Sequence, residues 1–92
     1  MIRSFGDKRT EALWQGRRVP AFGAFRERAE RKLAILESAT RLDDLRGLPS
    51  NRLEALKGDR KGQHSIRIND QWRVCFRWQD GDAFEVEIVD YH

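Results

Sequence analysis

Three stretches in the second half of the chain alternate apolar and polar residues, and their parity leaves little freedom in how they pair. In 63–68, His64, Ile66 and Ile68 share one face; in 72–78, so do Trp72, Val74, Phe76 and Trp78; in 83–89, so do Phe84, Val86 and Ile88. Alternation of this kind marks strands with one buried face. The short links between them make the strands antiparallel neighbours. A slip of one residue would turn a strand's whole core face to water. A two-residue turn at Asp80-Gly81 sets Trp78 against Ala83 and Phe76 against Glu85, mixing core with charge. The parity therefore predicts a loop Asp80-Gly81-Asp82 that pairs Trp78 with Phe84, Phe76 with Val86 and Val74 with Ile88. The same logic at Asn69-Asp70-Gln71 pairs Ile68 with Trp72 and Ile66 with Val74.

This register also fixes the opposite face. Arg67 falls across from Arg73, Arg77 from Glu85, and Arg73 from Val89. Tyr91 comes one pair further on, diagonal to Arg73, within reach of a long side chain. Arg67, Arg73 and Tyr91 are thus expected to cluster on the face away from the helices. Cys75 falls on that face too, in mid-strand, with no second Cys or His in a nucleophile motif beside it. His64 reads as a packed edge residue. A further strand is expected over 52–56, where Leu53 and Leu56 have opposite parity and imply a bulge or strand end.

The first half reads differently. "MIRSF" suits a short strand. Asp7 can cap a helix running to about Gln15, and "GRRVP" ends it. A longer helix is expected over 21–38, with Phe22, Phe25, Ala29, Leu33 and Leu36 in one stripe and Arg26, Arg28, Glu30, Arg31 and Lys32 mostly off it. "RLDDLRGLPSN" is a short helical turn and loop. Together these elements predict an α+β fold: a small, twisted, antiparallel-rich sheet with two N-terminal helices packed on one face and the other face open. The 92 residues suffice for one domain over 1–92.

Composition narrows the function. With no apolar run near the length of a membrane span, no membrane role is expected. No secretory signal is legible in "MIRSFGDKRTEALW". One cysteine excludes an internal disulfide and a cysteine-based zinc cage, and fits a reducing cytoplasm. The net charge is only +3, yet from 51 to 78 seven basic residues face three acids. Most of the basic residues are arginines, whose planar fork matches phosphate oxygens. The middle of the chain is therefore a candidate polyanion surface, or else a solvated, ion-paired one.

"RLEALKGDRKGQHSIRINDQWRVCFRW", followed by "GDAFEVEIVDYH", resembles the HigB-type toxins of bacterial type II toxin–antitoxin systems, in the RelE/ParE superfamily. The resemblance covers essentially the whole chain and rests on "LKGDRKG", "WRVCFRW" and the terminal "DYH" together. It implies a RelE-like, microbial RNase-like fold. It also implies a metal-independent endoribonuclease with no cofactor, acting on mRNA in the A site of the small ribosomal subunit. The implied partner is a cognate antitoxin of the HigA type, a helix-turn-helix protein through which alone DNA is contacted. Carried over residue by residue, the family's site falls on Lys57, Arg73, Asp90, Tyr91 and His92. Better-known members have a histidine where this chain has Glu54, so Glu54 becomes a candidate base.

RNA cleavage of this kind needs a base for the 2′-OH, charge to stabilise the phosphorane and an acid for the leaving 5′-oxygen. Imidazoles titrate near neutral pH, which makes His92 a candidate acid or base. Tyr91 can stack on a base or bond a phosphate. Asp90 can orient His92 or accept from the substrate, or simply end the strand. Arg73 is the leading phosphate clamp and Lys57 the second. Arg60, Lys61 and Arg67 are candidates for general RNA affinity, while Arg77 is assigned to structure opposite Glu85. Two other functions sit on the same fold: a ParE-like inhibitor of DNA gyrase, and an inactive RNA- or antitoxin-binding relative.

Overall fold

The computed structural model describes residues 1–91. Helix α1 spans Lys8–Trp14, α2 Arg26–Ser38 and α3 Leu42–Arg46; strands β1 (Glu54–Ala55), β2 (His64–Arg67), β3 (Trp72–Gln79) and β4 (Asp82–Asp90) form one antiparallel sheet in that order. The architecture is the expected α+β sandwich. Asp7 caps α1 as predicted, its Oδ1 accepting from the Thr10 amide at 3.2 Å. The predicted helix over 21–38 is in two parts: Pro20–Phe25 winds as a 3-10 turn, and the α-helix starts at Arg26. Phe25 breaks the ladder with φ −133°, and the turn points Phe22 and Phe25 at Trp72, with ring centroids 5.7 and 5.1 Å away.

The core lies between α1, α2 and the inner face of the sheet. Leu13, Phe22, Leu33, Leu36, Ile66, Val74, Phe76, Val86 and Ile88 are buried there. Thr10 is buried with them because its Oγ1 accepts from the Ile88 amide at 2.9 Å, satisfying the free edge of β4. The N-terminal residues do not form a full strand. They run parallel to β4 through two bridges, Ile2 to Ala83 and Phe5 to Val86.

The β3–β4 hairpin corrects the predicted loop. Gln79 pairs with Asp82 and Trp78 with Ala83, so the turn is the two-residue Asp80-Gly81. Both residues have positive φ, 52° and 84°, as the primed turns that match strand twist require. The mixing of core with charge is avoided by a bulge. The register shifts between Cys75 and Arg77, and Glu85 takes φ 54° as the extra residue of β4. Below the bulge the expected pairs hold: Val74 with Ile88 and Arg73 with Val89. Above it Phe84 pairs with Arg77 and leaves the core face, and Ala83 takes its place inside. Arg77 still reaches Glu85, at 2.5 Å. The β2–β3 link is as predicted, with Arg67 opposite Arg73 and the Ile68 amide bonded to the Trp72 carbonyl at 2.9 Å.

The outer face is not fully open, as the sequence had suggested. The loop 56–63 folds over its middle: Leu56 is buried, and Arg60 reaches across to Glu87 on β4 at 3.4 Å. Gly62 passes so close that a Cβ there would sit 2.9 Å from Arg77 Nη1. Cys75 is consequently buried, and burial raises its thiol pKa. The predicted strand over 52–56 is only two residues long.

His64 stacks on Phe76 with centroids 6.2 Å apart, and its Nδ1 is buried without a hydrogen-bond partner. Burial, then the charge of Arg46, lowers its pKa. Between that lowered value and the ordinary histidine value of about 6.5, the unfolded chain binds a proton that the folded chain does not. Stability is therefore present at higher pH and falls as the pH drops through about 6.5. His64→Phe should flatten this slope when urea midpoints are compared between about pH 7.5 and 5.5; an unchanged slope would show that His64 is not its source.

Candidate active site

At the end of the outer face left uncovered by the loop 56–63, a cavity of about 290 Å³ is lined by Arg52, Glu54, Arg67, Asn69, Asp70, Arg73 and Tyr91. Each lining residue is placed by a backbone feature. Arg67 and Arg73 face each other across the β2–β3 ladder. Asn69 folds the turn between them, its Oδ1 accepting from the amides of Gln71 at 2.9 Å and Trp72 at 2.8 Å. That turn in turn holds the end of β4: the Tyr91 amide donates to the Gln71 carbonyl at 2.8 Å, and Gln71 Nε2 donates to Asp90 Oδ2 at 2.9 Å. Tyr91 is thereby fixed over the cavity with its side chain partly exposed.

Arg73 is the best-held group. It is buried although charged, and its Nε and Nη2 donors are met. Nε donates to Ser65 Oγ at 2.7 Å, and Nη2 donates to the Arg52 carbonyl at 2.5 Å and the Ser65 carbonyl at 3.4 Å. Glu54 Oε1 lies 3.8 Å from Nη2. Buried charge is tolerated only with such partners. Val89 is indeed the residue registered opposite, but the acid partner comes from β1, two strands away. Arg67 is ion-paired with Asp70, whose side chain is fully exposed.

The structure brings together Arg73, Arg67, Tyr91 and Glu54, all singled out from the sequence. Lys57 is exposed beyond the end of β1 and does not line the cavity, because the buried Leu56 turns the chain there. Arg60 is engaged by Gln63 and Glu87 on the covered part of the face, and Lys61 is exposed beside it. Asp90 pairs with Trp72 at the end of β4. His92 lies outside the described residues. Ser65 and Arg52 were not singled out. Ser65 was legible, since it shares parity with Arg67 and Arg73; Arg52 was not, since it enters through its backbone. A larger hollow of about 690 Å³ beside Phe25 and Arg26 gathers none of the candidate catalytic side chains. Among the described residues no three His, Cys, Asp or Glu side chains are placed to hold a metal ion.

A family model described as HigB-like toxin, a RelE-like toxin of the type II toxin–antitoxin system HigB, matches residues 4–92. The chain belongs to this HigB-like toxin family. Its partner is accordingly a cognate antitoxin. The chain is 34% identical over 95 residues to Endoribonuclease HigB of Proteus vulgaris, a match covering 100% of both chains. It is 53% identical over 53 residues to Toxin HigB-1 of Vibrio cholerae, where the match takes in 58% of this chain and only 56% of that protein. The fold is similar to that of a chain in the YoeB-YefM complex from Staphylococcus aureus, with a TM-score of 0.64 at 20% identity, covering 100% of this chain and 98% of that one.

The buried bonds of Arg73 give its removal a structural cost. Arg73→Ala strands Ser65 and the Arg52 carbonyl and should lower the unfolding free energy by about 1–3 kcal/mol. Tyr91→Phe should stay within about 0.5 kcal/mol of the parent. Urea denaturation of both variants checks this, and an Arg73→Ala as stable as the parent would contradict it.

Proposed function

We propose that this HigB-like toxin is an endoribonuclease that cuts mRNA on the ribosome by attack of a ribose 2′-OH on its own phosphate. The observation that carries the reading is the single cavity in which Arg67 and Arg73 stand beside Glu54 and Tyr91. The family membership and the full-length match to an endoribonuclease support it.

The chemistry follows from how these groups are held. Arg73 is fixed through Nε and Nη2, while its Nη1 makes no hydrogen bond among the described residues. A guanidinium so anchored is preorganised, and it meets the charge that develops on the phosphorane without moving. Glu54 keeps an exposed carboxylate beside it and takes the 2′-OH proton. The Tyr91 phenol stacks on a base next to the scissile phosphate. His92, the residue after Tyr91, protonates the leaving 5′-oxygen, with Asp90 orienting it. Lys57, Lys61 and Arg60 lie outside the cavity and contribute affinity for flanking phosphates.

The cavity is small and open at the surface, so it grips little of a nucleotide by itself. Bending of the message toward in-line geometry falls to the ribosomal A site. The antitoxin is of the HigA type and silences the toxin until it is removed.

Cleavage by this route leaves a 2′,3′-cyclic phosphate and a 5′-OH. Messages cut on translating ribosomes should carry those ends, and a 2′-deoxy sugar just upstream of the scissile phosphate should leave the strand whole. Intact message with accumulating cleaved gyrase–DNA complexes would overturn the reading.

A further inference from the structure

Lys32 was read as lying off the apolar stripe of α2, yet it is only 9% exposed. Its ammonium donates to Asn51 Oδ1 at 2.7 Å and to Ser50 Oγ at 3.2 Å. Asn51 is completely buried, and its Nδ2 donates to the Leu45 carbonyl at 3.0 Å. These bonds fasten the 3-10 turn Pro49–Asn51 to α2 on one side and to α3 on the other. Burial, then the charges of Arg31 and Arg67, lowers the Lys32 pKa, so the placement is costly and needs its partners.

What the turn carries makes the cost intelligible. The next residue, Arg52, is held in the left-handed region at φ 42°, ψ 56°, a conformation that an arginine keeps only when its surroundings impose it. In that conformation its carbonyl accepts from Arg73 Nη2 at 2.5 Å, and Arg52 lines the cavity with Glu54, two residues on. A continuous path of hydrogen bonds and backbone thus runs from a helix on the far side of the sheet to the guanidinium in the cavity. A third cavity, of about 360 Å³, lies along this path and shares Arg67 with the candidate site.

We propose that Lys32 is a positioning residue for the cleavage site: by pinning Ser50 and Asn51 it holds the Arg52 carbonyl against Arg73 and so aims the guanidinium. The inference rests on the endonuclease reading, and its test separates the two. Folded wild type, Lys32→Met, Ser50→Ala, Arg73→Lys and the Lys32→Met/Arg73→Lys double variant are compared in single-turnover cleavage of mRNA on programmed ribosomes. Lys32→Met should lower the saturated rate by about tenfold or more, with the half-saturating ribosome concentration unchanged within about twofold. Ser50→Ala should show a smaller loss of the same kind. The double variant should be no slower than Arg73→Lys, because coupled residues are not additive. The Arg73 Nε–H resonance, protected by its bond to Ser65 in the parent, should exchange faster in Lys32→Met, a readout independent of any cleavage.

Folded Lys32→Met that cuts at the parental rate, or that leaves Arg73 Nε–H equally protected, would overturn the inference. So would losses that multiply in the double variant. If Lys32→Met does not fold, a parental rate in Ser50→Ala overturns it alone. If Arg73→Lys cuts like the parent while Lys32→Met still loosens the Nε–H, the assignment of the cavity fails and the positioning path stands.

Discussion

The return of β4 to the arginine face, and with it the place of Tyr91 at the cavity, depends on one bulge in that strand. The Asp80-Gly81 turn is chosen by local chemistry: two residues with positive φ reverse the chain in the sense that suits strand twist. Continued without interruption, that turn would press Glu85 into the core opposite Phe76. The extra residue at Glu85 absorbs the conflict. It restores the pairing of Val74 with Ile88 and carries Val89, and then Tyr91, back to the arginine face. The N-terminal residues dock on this irregularity, with Glu85 and Val86 amides donating to Ser4 at 2.9 and 3.0 Å. The first residues of the chain therefore help fix where the last ones stand.

The second constraint is the burial of two cations. Arg73 and Lys32 are both removed from water, and a buried charge persists only when its donors are met. Each solves the problem with neutral oxygens more than with acids: Arg73 with Ser65 and the Arg52 carbonyl, Lys32 with Asn51 and Ser50. Neutral acceptors leave the positive charge uncancelled. For Arg73 this keeps an electrostatic field in the cavity that an acid buried at bonding distance would have quenched. Glu54, at 3.8 Å and half-exposed, neutralises it only in part.

Much of this was legible in the residues. Parity alone placed Arg67 against Arg73 and brought Tyr91 to the same end of the sheet, because strand alternation is a strict period of two. Helix α1 was legible through Asp7. The bulge was not, since it is a compromise between a strong turn and a strong core pattern, and either signal taken alone gives a regular hairpin. Phe84 was misplaced for the same reason. Lys32 was hidden because a lysine on a helix is usually solvated, and its burial is decided by Asn51, nineteen residues away. Arg52 acts through a carbonyl, which side-chain identity does not encode. The cover over Cys75 came from the loop 56–63, whose path no periodicity describes.

The two arginines of the cavity differ in a way that bears on substrate entry. Arg67 is tied to Asp70, but that carboxylate is fully exposed and sits in a turn, so the pair is screened and easily exchanged for another anion. Arg73 has no such freedom; its partners are buried backbone and hydroxyl oxygens that a phosphate cannot displace without desolvating them again. Under the proposed function, an incoming phosphate would take Asp70's place on Arg67 and then meet a guanidinium that is already oriented, so that one arginine would recruit and the other stabilise. That division of labour is set by burial, since the two side chains are chemically identical and stand on neighbouring strands.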